Sequence, residues 1–172
     1  MILTGPQIKR EVANRKIVID PFFPKQINPN SYNFTLGSTI KIYDEKVIDP
    51  RKVNRVIEFE IPKRGLLLRP DRLYLGHIAE RIGSNYYVPI IKGRSSVGRM
   101  GLFIVITADL IDLGAIGKWT LQLHAIQPMK VYAGMQIGQM TFWHTSGRKM
   151  LYRGKYQNAT GPQETLAHKD FA

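Results

Sequence analysis

What most constrains the fold of this chain is its punctuation. Between residues 16 and 143, apolar and polar residues alternate in short runs, and a glycine or proline closes nearly every run. Alternation with a period of two turns one face of a strand toward a core and the other toward water, whereas a helix needs a period near 3.6. Many short strands at close spacing, each ended by a turn former, are the pattern of an all-β barrel or jelly roll.

The runs can be placed one by one. KIVIDPFFP ends its alternation at prolines, SYNFTLGSTIKIY alternates around Gly37, and VIEFEIP alternates up to Pro62. GLLLRPDRLYLGHIAERI predicts two strands joined at Pro70-Asp71, and YYVPIIKG predicts another. LFIVIT is almost wholly apolar, which predicts a strand covered on both faces. In KWTLQLHAI, Trp119, Leu121, Leu123 and Ala125 fall on one side and Thr120, Gln122 and His124 on the other, so Gln122 points to the polar face of its strand. Before this region, Thr4 followed by Gly5-Pro6 predicts a capped start to a short helix with Ile8 and Val12 on one face. After it, residues 145–172 are polar, aperiodic and rich in glycine, lysine and tyrosine, a tail that either is disordered or folds over a ligand. At 172 residues, with no internal repeat and no linker, the chain is expected to be a single domain over residues 1–172.

Composition narrows the chemistry. A hydrophobic content of 44% and a charged content of 22% fit a soluble globular chain. The absence of cysteine excludes disulfides, iron–sulfur clusters, thiolate zinc sites and the zinc nucleobase deaminases, whose metal needs a P-C-x-x-C pair. His77, His124, His144 and His168 show no H-x-x-x-H spacing, so no transition metal held by the protein is expected. The net charge of +12 attracts polyanions, whether nucleic acid, anionic membrane or nucleotide phosphates; a generally basic surface is the plain alternative. The basic residues are spread out, without a polybasic arm, which favours a pocket. No stretch approaches the ~20 apolar residues of a membrane helix, and the N-terminus lacks the apolar core of a signal peptide. The expected location is the cytoplasm, or the host cytoplasm for a virus-encoded chain.

Three segments carry chemistry. In Gly93-Arg94-Ser95-Ser96-Val97-Gly98-Arg99, glycines permit a tight turn whose amides can face an anion, while hydroxyl and guanidinium groups add donors and charge. It reads as a triphosphate cradle or as an ordinary polar turn. Asp112, in Ile111-Asp112-Leu113-Gly114, is either a turn former or a carboxylate that accepts from a sugar hydroxyl or orients a water. Gly154-Lys155-Tyr156-Gln157-Asn158 offers a cation and an aromatic ring for a flap, or is simply solvated tail.

Taken in order, these segments resemble the dCTP deaminase branch of the dUTPase superfamily over nearly the whole chain. The matching residues begin with Met1-Ile2-Leu3, Pro29-Asn30-Ser31-Tyr32-Asn33, Leu36-Gly37 and Gly93-Arg94-Ser95-Ser96 with Gly98-Arg99. They continue with Thr107-Ala108, Ile111-Asp112, Gly114, Gly117, Thr120-Leu121, Gly134-Met135 and Ile137-Gly138-Gln139. They end at Gly154-Lys155-Tyr156-Gln157 and Lys169-Asp170-Phe171. The resemblance implies a distorted jelly-roll β-barrel with a short N-terminal helix and a flexible C-terminal tail, assembled as a homotrimer with nucleotide sites shared between subunits. It implies a pyrimidine deoxynucleoside triphosphate as ligand, with Mg²⁺ carried by the triphosphate and no metal ligand from the protein. Arg94, Ser95, Ser96 and Arg99 match the triphosphate turn. Thr107, Ala108, Asp109, Ile111 and Asp112 match a hairpin that reads the pyrimidine through its backbone and the deoxyribose 3′-hydroxyl through the aspartate. Gln139 belongs to the same nucleotide-binding set, and Lys155 and Tyr156 lie in the tail, residues 145–172, that closes over the ligand.

The catalytic positions implied are Gln122, Asp112, Arg99 and Ser95, and the first is a departure. In deaminating relatives this strand reads T-L-E, and the glutamate activates water against C4 of cytosine and passes a proton to the leaving ammonia. A carboxamide has no accessible pKa, so the step loses a general acid–base contribution of ~10²–10⁴-fold; His124, on the same face, is not expected to reach. Leu113 stands where many relatives have proline. Asn33 stands where many have aspartate, a residue that dUTPases use near magnesium. The resemblance therefore implies a dCTP, dUTP or dTTP binder with impaired deamination. The alternatives are an active deaminase, a dUTPase-like diphosphatase relying on Asp112, and a non-catalytic nucleotide-sequestering or regulatory protein; binding of long nucleic acid is not expected.

Overall fold

The computed structural model describes residues 1–171, and they form an all-β chain with one short N-terminal helix. Helix α1 (Gly5–Ala13) begins with Pro6 in its first turn; Thr4 takes the extended N-cap conformation, but its hydroxyl makes no capping bond. Ile8 is fully buried and Val12 packs against the core, as the spacing predicts. The strands follow as β1 (Val18–Asp20), β2 (Tyr32–Thr35), β3 (Thr39–Tyr43), β4 (Val56–Glu60), β5 (Leu66–Leu68), β6 (Tyr74–His77) and β7 (Arg81–Gly83). Then come β8 (Tyr87–Gly93), a four-residue helix α2 (Ser95–Gly98), β9 (Leu102–Phe103), β10 (Ile116–Gly117), β11 (Thr120–Ala125), β12 (Met129–Val131) and β13 (Gln136–His144).

These strands pair antiparallel in four sheets, ordered β4-β3-β6-β11-β9, β2-β13-β8, β1-β7-β10 and β12-β5. Tyr32, Phe34, Leu36, Ile78, Leu121, Leu123 and Phe142 fill one core between them, each with no exposed surface. Beside it Glu80, 1% exposed, is satisfied by neutral donors alone: the Thr35 amide and hydroxyl, each at 3.0 Å, and the Gln26 side-chain amide at 3.4 Å. Gly37 lies against the buried ring of His77, where a Cβ would stand 2.0 Å from Cε1.

Two sequence expectations are corrected. The segment around Pro70 holds three strands rather than two, and β5 and β6 do not pair with each other: β5 pairs with β12, and β6 with β11 and β3. Alternation identifies a strand but not its partner, which the core selects. LFIVIT is not a strand covered on both faces. Its ladder with β11 ends at Phe103, after which the Ile104 carbonyl accepts from the Gln122 amide, while the Ile106 amide donates to the Gln122 side chain. Phe103 and Ile106 remain 53% and 54% exposed.

Candidate functional site

A pocket of about 580 Å³ opens on the polar face of β11, a size suited to a small organic ligand. Its floor comes from cross-strand pairing: Leu75 of β6 lies opposite both Gln122 of β11 and Lys41 of β3, so the three form one row across the sheet and share a face. Along β11, Leu121, Leu123 and Ala125 are fully buried, while Thr120, Gln122 and His124 are half-buried. The Gln122 backbone N–H donates to the Ile104 carbonyl at 2.9 Å, and its side-chain Oε1 accepts from the Ile106 amide at 3.1 Å. The carboxamide is therefore held between its own strand and the loop that forms the next wall, with Thr107, Ala108, Ile111 and Asp112 lining that wall.

Asp112 stands on a turn closed by its own carbonyl, which accepts from Ala115 at 3.1 Å, and opened by Gly114 at φ +89°, a conformation that disfavours side chains. The tail braces this turn. The Gln157 side chain donates from Nε2 to the Gly114 carbonyl at 2.8 Å and accepts at Oε1 from the Ile116 amide at 3.0 Å. The Tyr152 amide donates to Leu113, and the Lys118 amide to Ala159. Tyr152 and Tyr156 line the pocket, and Tyr156 Oη accepts from the Leu166 amide at 2.9 Å. The tail thus docks on the strands of its own chain without forming a strand itself.

A family model described as dCTP deaminase-like matches residues 2–145. The chain belongs to this family. It is 45% identical over 172 residues to a protein of Clostridium acetobutylicum named "dCTP deaminase, dUMP-forming", covering 99% of each chain. A protein of the same name from Cytophaga hutchinsonii is 43% identical over 99% of each chain. One from Rhodopirellula baltica named "dCTP deaminase" is 43% identical over 99% of this chain and 86% of its own. A solved structure of 2'-deoxycytidine 5'-triphosphate deaminase from Agrobacterium tumefaciens shares the fold with a TM-score of 0.63 at 21% identity; the match spans 82% of this chain and 47% of that one. No helix among the described residues is long and apolar enough to cross a membrane.

Within this dCTP deaminase-like chain the expected site residues fall into two groups. Thr107, Ala108, Ile111, Asp112, Gln122 and Tyr156 line the pocket. Arg94, Ser95, Ser96, Arg99, Asp109, Gln139 and Lys155 do not. The serine turn is the helix α2, with Ser95, Ser96 and Arg99 exposed, and Arg94 donates from Nη1 to the Gln136 carbonyl at 3.3 Å. Gln139 braces the base of that turn, accepting from the Ser31 hydroxyl at 2.7 Å and donating to the Gly93 carbonyl at 3.3 Å. Asp109 pairs with Lys92 at 2.5 Å, and this hydrogen bond holds its carboxyl below the usual range. Lys155 pairs with Asp170 at 2.6 Å. Of the departures seen in sequence, Gln122 lines the pocket and the other two lie outside it: Asn33 is buried and exchanges amide hydrogen bonds with Asn28, and Leu113 is buried under the tail. His124 packs its ring against Phe103, 6.5 Å between centroids, and does not line the pocket.

The structure adds pocket residues that were not among the expected site residues. Thr120 is two positions before Gln122, and alternation alone places it on the same face. Tyr43 of β3 and residues 163–165 of the tail also line the pocket. Glu164 is bound by Lys41 at 2.7 Å, and this hydrogen bond holds its carboxyl below the usual range against the opposing effect of burial. Burial pulls Lys41 down, but the bonds and charges of Glu164 and then Glu58 outweigh it, and the ammonium is raised. Burial raises the Tyr43 phenol against the hydrogen bond from the Thr165 amide. No short sequence spacing links β3 to the tail, so nothing local marks this cluster.

Proposed function

We propose that the pocket binds a pyrimidine deoxynucleoside triphosphate, with dCTP as the reference ligand, and that deamination by this chain is severely impaired. The observation that carries the reading is Gln122: a carboxamide fixed on the pocket floor by the Ile106 amide, at the position where the resemblance expects the proton-shuttling glutamate. Deamination adds water across C4 of cytosine and expels ammonia, so one group has to take a proton from the water and deliver one to the leaving nitrogen. Gln122 orients but cannot do either. The carboxylates that line the pocket are Asp112 and Glu164, and Glu164 is committed to Lys41 with its carboxyl held low, which makes it a poor proton donor near neutral pH.

The separation of the Ser95–Arg99 side chains from the pocket supports a site shared between subunits. Phe103, Ile106, Leu110 and Ile126 are all more than half exposed, the apolar cover that a second copy would supply. In that homotrimer, α2 of one subunit brings Arg94, Ser95, Ser96 and Arg99 to the phosphates at the pocket of the next. Mg²⁺ comes with the triphosphate. Among the described residues no group of three or more His, Asp or Glu side chains gathers to hold a metal, and the neutral Asn33 is already engaged with Asn28. Magnesium bound in this way neutralises phosphate charge.

The name that relatives carry, "dCTP deaminase, dUMP-forming", favours a second reading, an active enzyme in which Asp112 orients the water that releases pyrophosphate. One experiment separates the two. The protein is incubated with dCTP, dUTP and dTTP separately in Mg²⁺, with binding followed by calorimetry and products by chromatography. Binding without ammonia release supports the first reading. Conversion of dUTP to dUMP without deamination of dCTP leaves a diphosphatase. A sample that binds no deoxynucleotide overturns both. Size-exclusion chromatography with light scattering is expected to give three times the chain mass of 19.6 kDa.

A further inference from the structure

The entry to the turn that carries Arg94, Ser95 and Ser96 depends on β13. The ladder between β8 and β13 ends at the pair Gly93 and Gly138, so the chain leaves the sheet at the residue before Arg94. Packing within the chain then does little to fix it. A Cβ on Gly93 or Gly98 would meet nothing within 4 Å, and both glycines border an open cavity of about 340 Å³. Two hydrogen bonds to β13 hold this side of the turn instead: Arg94 Nη1 donates to the Gln136 carbonyl, and Gln139 Nε2 donates to the Gly93 carbonyl, each at 3.3 Å. A peptide unit is planar, so holding the Gly93 carbonyl also sets the direction of the Arg94 amide.

The bond from Gln139 is oriented from further away. Gln139 lies in register with Asn33 of β2 on one side and Lys92 of β8 on the other, and a carboxamide can present either end to a neighbour. Ser31 decides which. It is 1% exposed, and its hydroxyl oxygen accepts from Asn28 Nδ2 at 3.1 Å, so its one proton goes to Gln139 Oε1 at 2.7 Å. Nε2 is left to face Gly93. Asn28 is fixed in turn by Asn33, with which it exchanges bonds of 2.8 and 3.3 Å. The donors therefore run in one direction, from Asn28 through Ser31 and Gln139 to Gly93, and every member of the chain is uncharged. Both ends of the Gln139 carboxamide are engaged within the protein, which favours action on the turn over contact with a ligand.

We propose that Ser31 and Gln139 are positioning residues for the phosphate end of the ligand. By orienting the Gly93 carbonyl they set the peptide plane from which Arg94 and Ser95 project, and so how tightly the turn holds a triphosphate. The phosphate role rests on the function proposed above, in which this turn meets the nucleotide; the brace itself does not.

The test reads the turn and the ligand separately. In the ligand-free full chain, hydrogen exchange is followed at the amides of Val97, Gly98 and Arg99, which bond to the Arg94 and Ser95 carbonyls. The variants are Gln139→Leu and the milder Ser31→Ala. Both are expected to exchange these amides roughly threefold to tenfold faster, in line with the loss of one neutral hydrogen bond, with the β11 amides unchanged. Calorimetry with dCTP and Mg²⁺ is run on the same variants with and without Ser95→Ala. Each variant is expected to weaken dCTP by a similar factor, and the loss is not expected to add to that of Ser95→Ala, because both act through one turn. Unchanged turn exchange, or β11 amides accelerated to the same degree, overturns the brace. Unchanged dCTP affinity, or losses that add fully, overturns its role at the phosphates. If the unaltered protein binds no dCTP, the functional reading has failed and takes the phosphate role with it, while the exchange arm still decides the brace.

Discussion

Replacing Gln122 by glutamate is the perturbation that isolates the chemistry from the binding. The two side chains have the same shape, and the structure shows what the exchange preserves. Oε1 already accepts from the Ile106 amide at 3.1 Å, and a carboxylate oxygen accepts the same bond. The backbone register is held independently by the Ile104 carbonyl and by pairing with Leu75. Only the second terminal atom changes, from an amide nitrogen to an oxygen that can take up and release a proton. The expected gain in dCTP deamination is therefore the general acid–base contribution alone, ~10²–10⁴-fold, which is ~3–5 kcal/mol of barrier. Ammonia release is measured under single-turnover conditions for both proteins across pH, with dCTP affinity measured in parallel. The glutamate variant is expected to show a pH limb that the glutamine chain lacks, with affinity changed by less than about tenfold. Equal dCTP binding by both proteins with rates that agree within about threefold would show that Gln122 does not limit the step. An unaltered chain that deaminates at an ordinary enzyme rate of ~1 s⁻¹ or more would show the same.

Three further outcomes concern the scaffold. Gly37→Ala places a Cβ 2.0 Å from Cε1 and 2.1 Å from Nε2 of the buried His77 ring; overpacking of this kind lowers stability by ~1–3 kcal/mol, and a loss below about 0.5 kcal/mol in urea unfolding would show that the ring moves aside freely. Glu80→Ala leaves the Thr35 amide and hydroxyl without their acceptor, while the Gln26 side-chain amide loses its longer bond and keeps the Asn33 carbonyl at 2.8 Å, at ~1–3 kcal/mol per stranded group. Glu80→Gln, which keeps one acceptor oxygen, is expected to fall between it and the unaltered protein, and equal stability of all three would contradict this account. His77 is held below its ordinary pKa of 6.5, chiefly by burial and further by Lys118, against the Ile78 carbonyl, Glu60 and Glu58. Above 6.5 the ring is neutral in both states; below it the unfolded chain takes the proton first, so stability falls as pH drops from there. Thermal unfolding between pH 7 and 5 is expected to show a slope that shrinks in His77→Gln, and an identical slope would remove His77 as its source.

Local pattern carried much of the site into view. Alternation in KWTLQLHAI fixed the face on which Gln122 lies, because successive side chains of a strand point to opposite sides whatever the strand pairs with. The turn at Asp112 followed from Gly114, which takes the positive φ that other residues resist. The helix at Gly5–Ala13 followed from Pro6 and the spacing of Ile8 and Val12. LFIVIT misled for a reason of the same kind: an apolar run reports that something covers it, but not whether that cover belongs to the same chain. Phe103, still paired with His124, and Ile106, beyond the end of that ladder, both stay exposed in the single chain.

Local pattern alone sets an all-β chain with a helical start, the side of β11 that faces polar surroundings, and a carboxamide on that side. These are properties of neighbouring residues, and backbone geometry reads them directly. Tertiary structure decided which strands pair, that Lys41 and Gln122 share one row through Leu75, that Gln139 and Asn33 brace the frame outside the pocket, and that Glu164 returns from the far end of the chain to Lys41. Those contacts join residues as much as 123 positions apart. No periodicity encodes such a pairing, because the partner is chosen by the packing of the whole core.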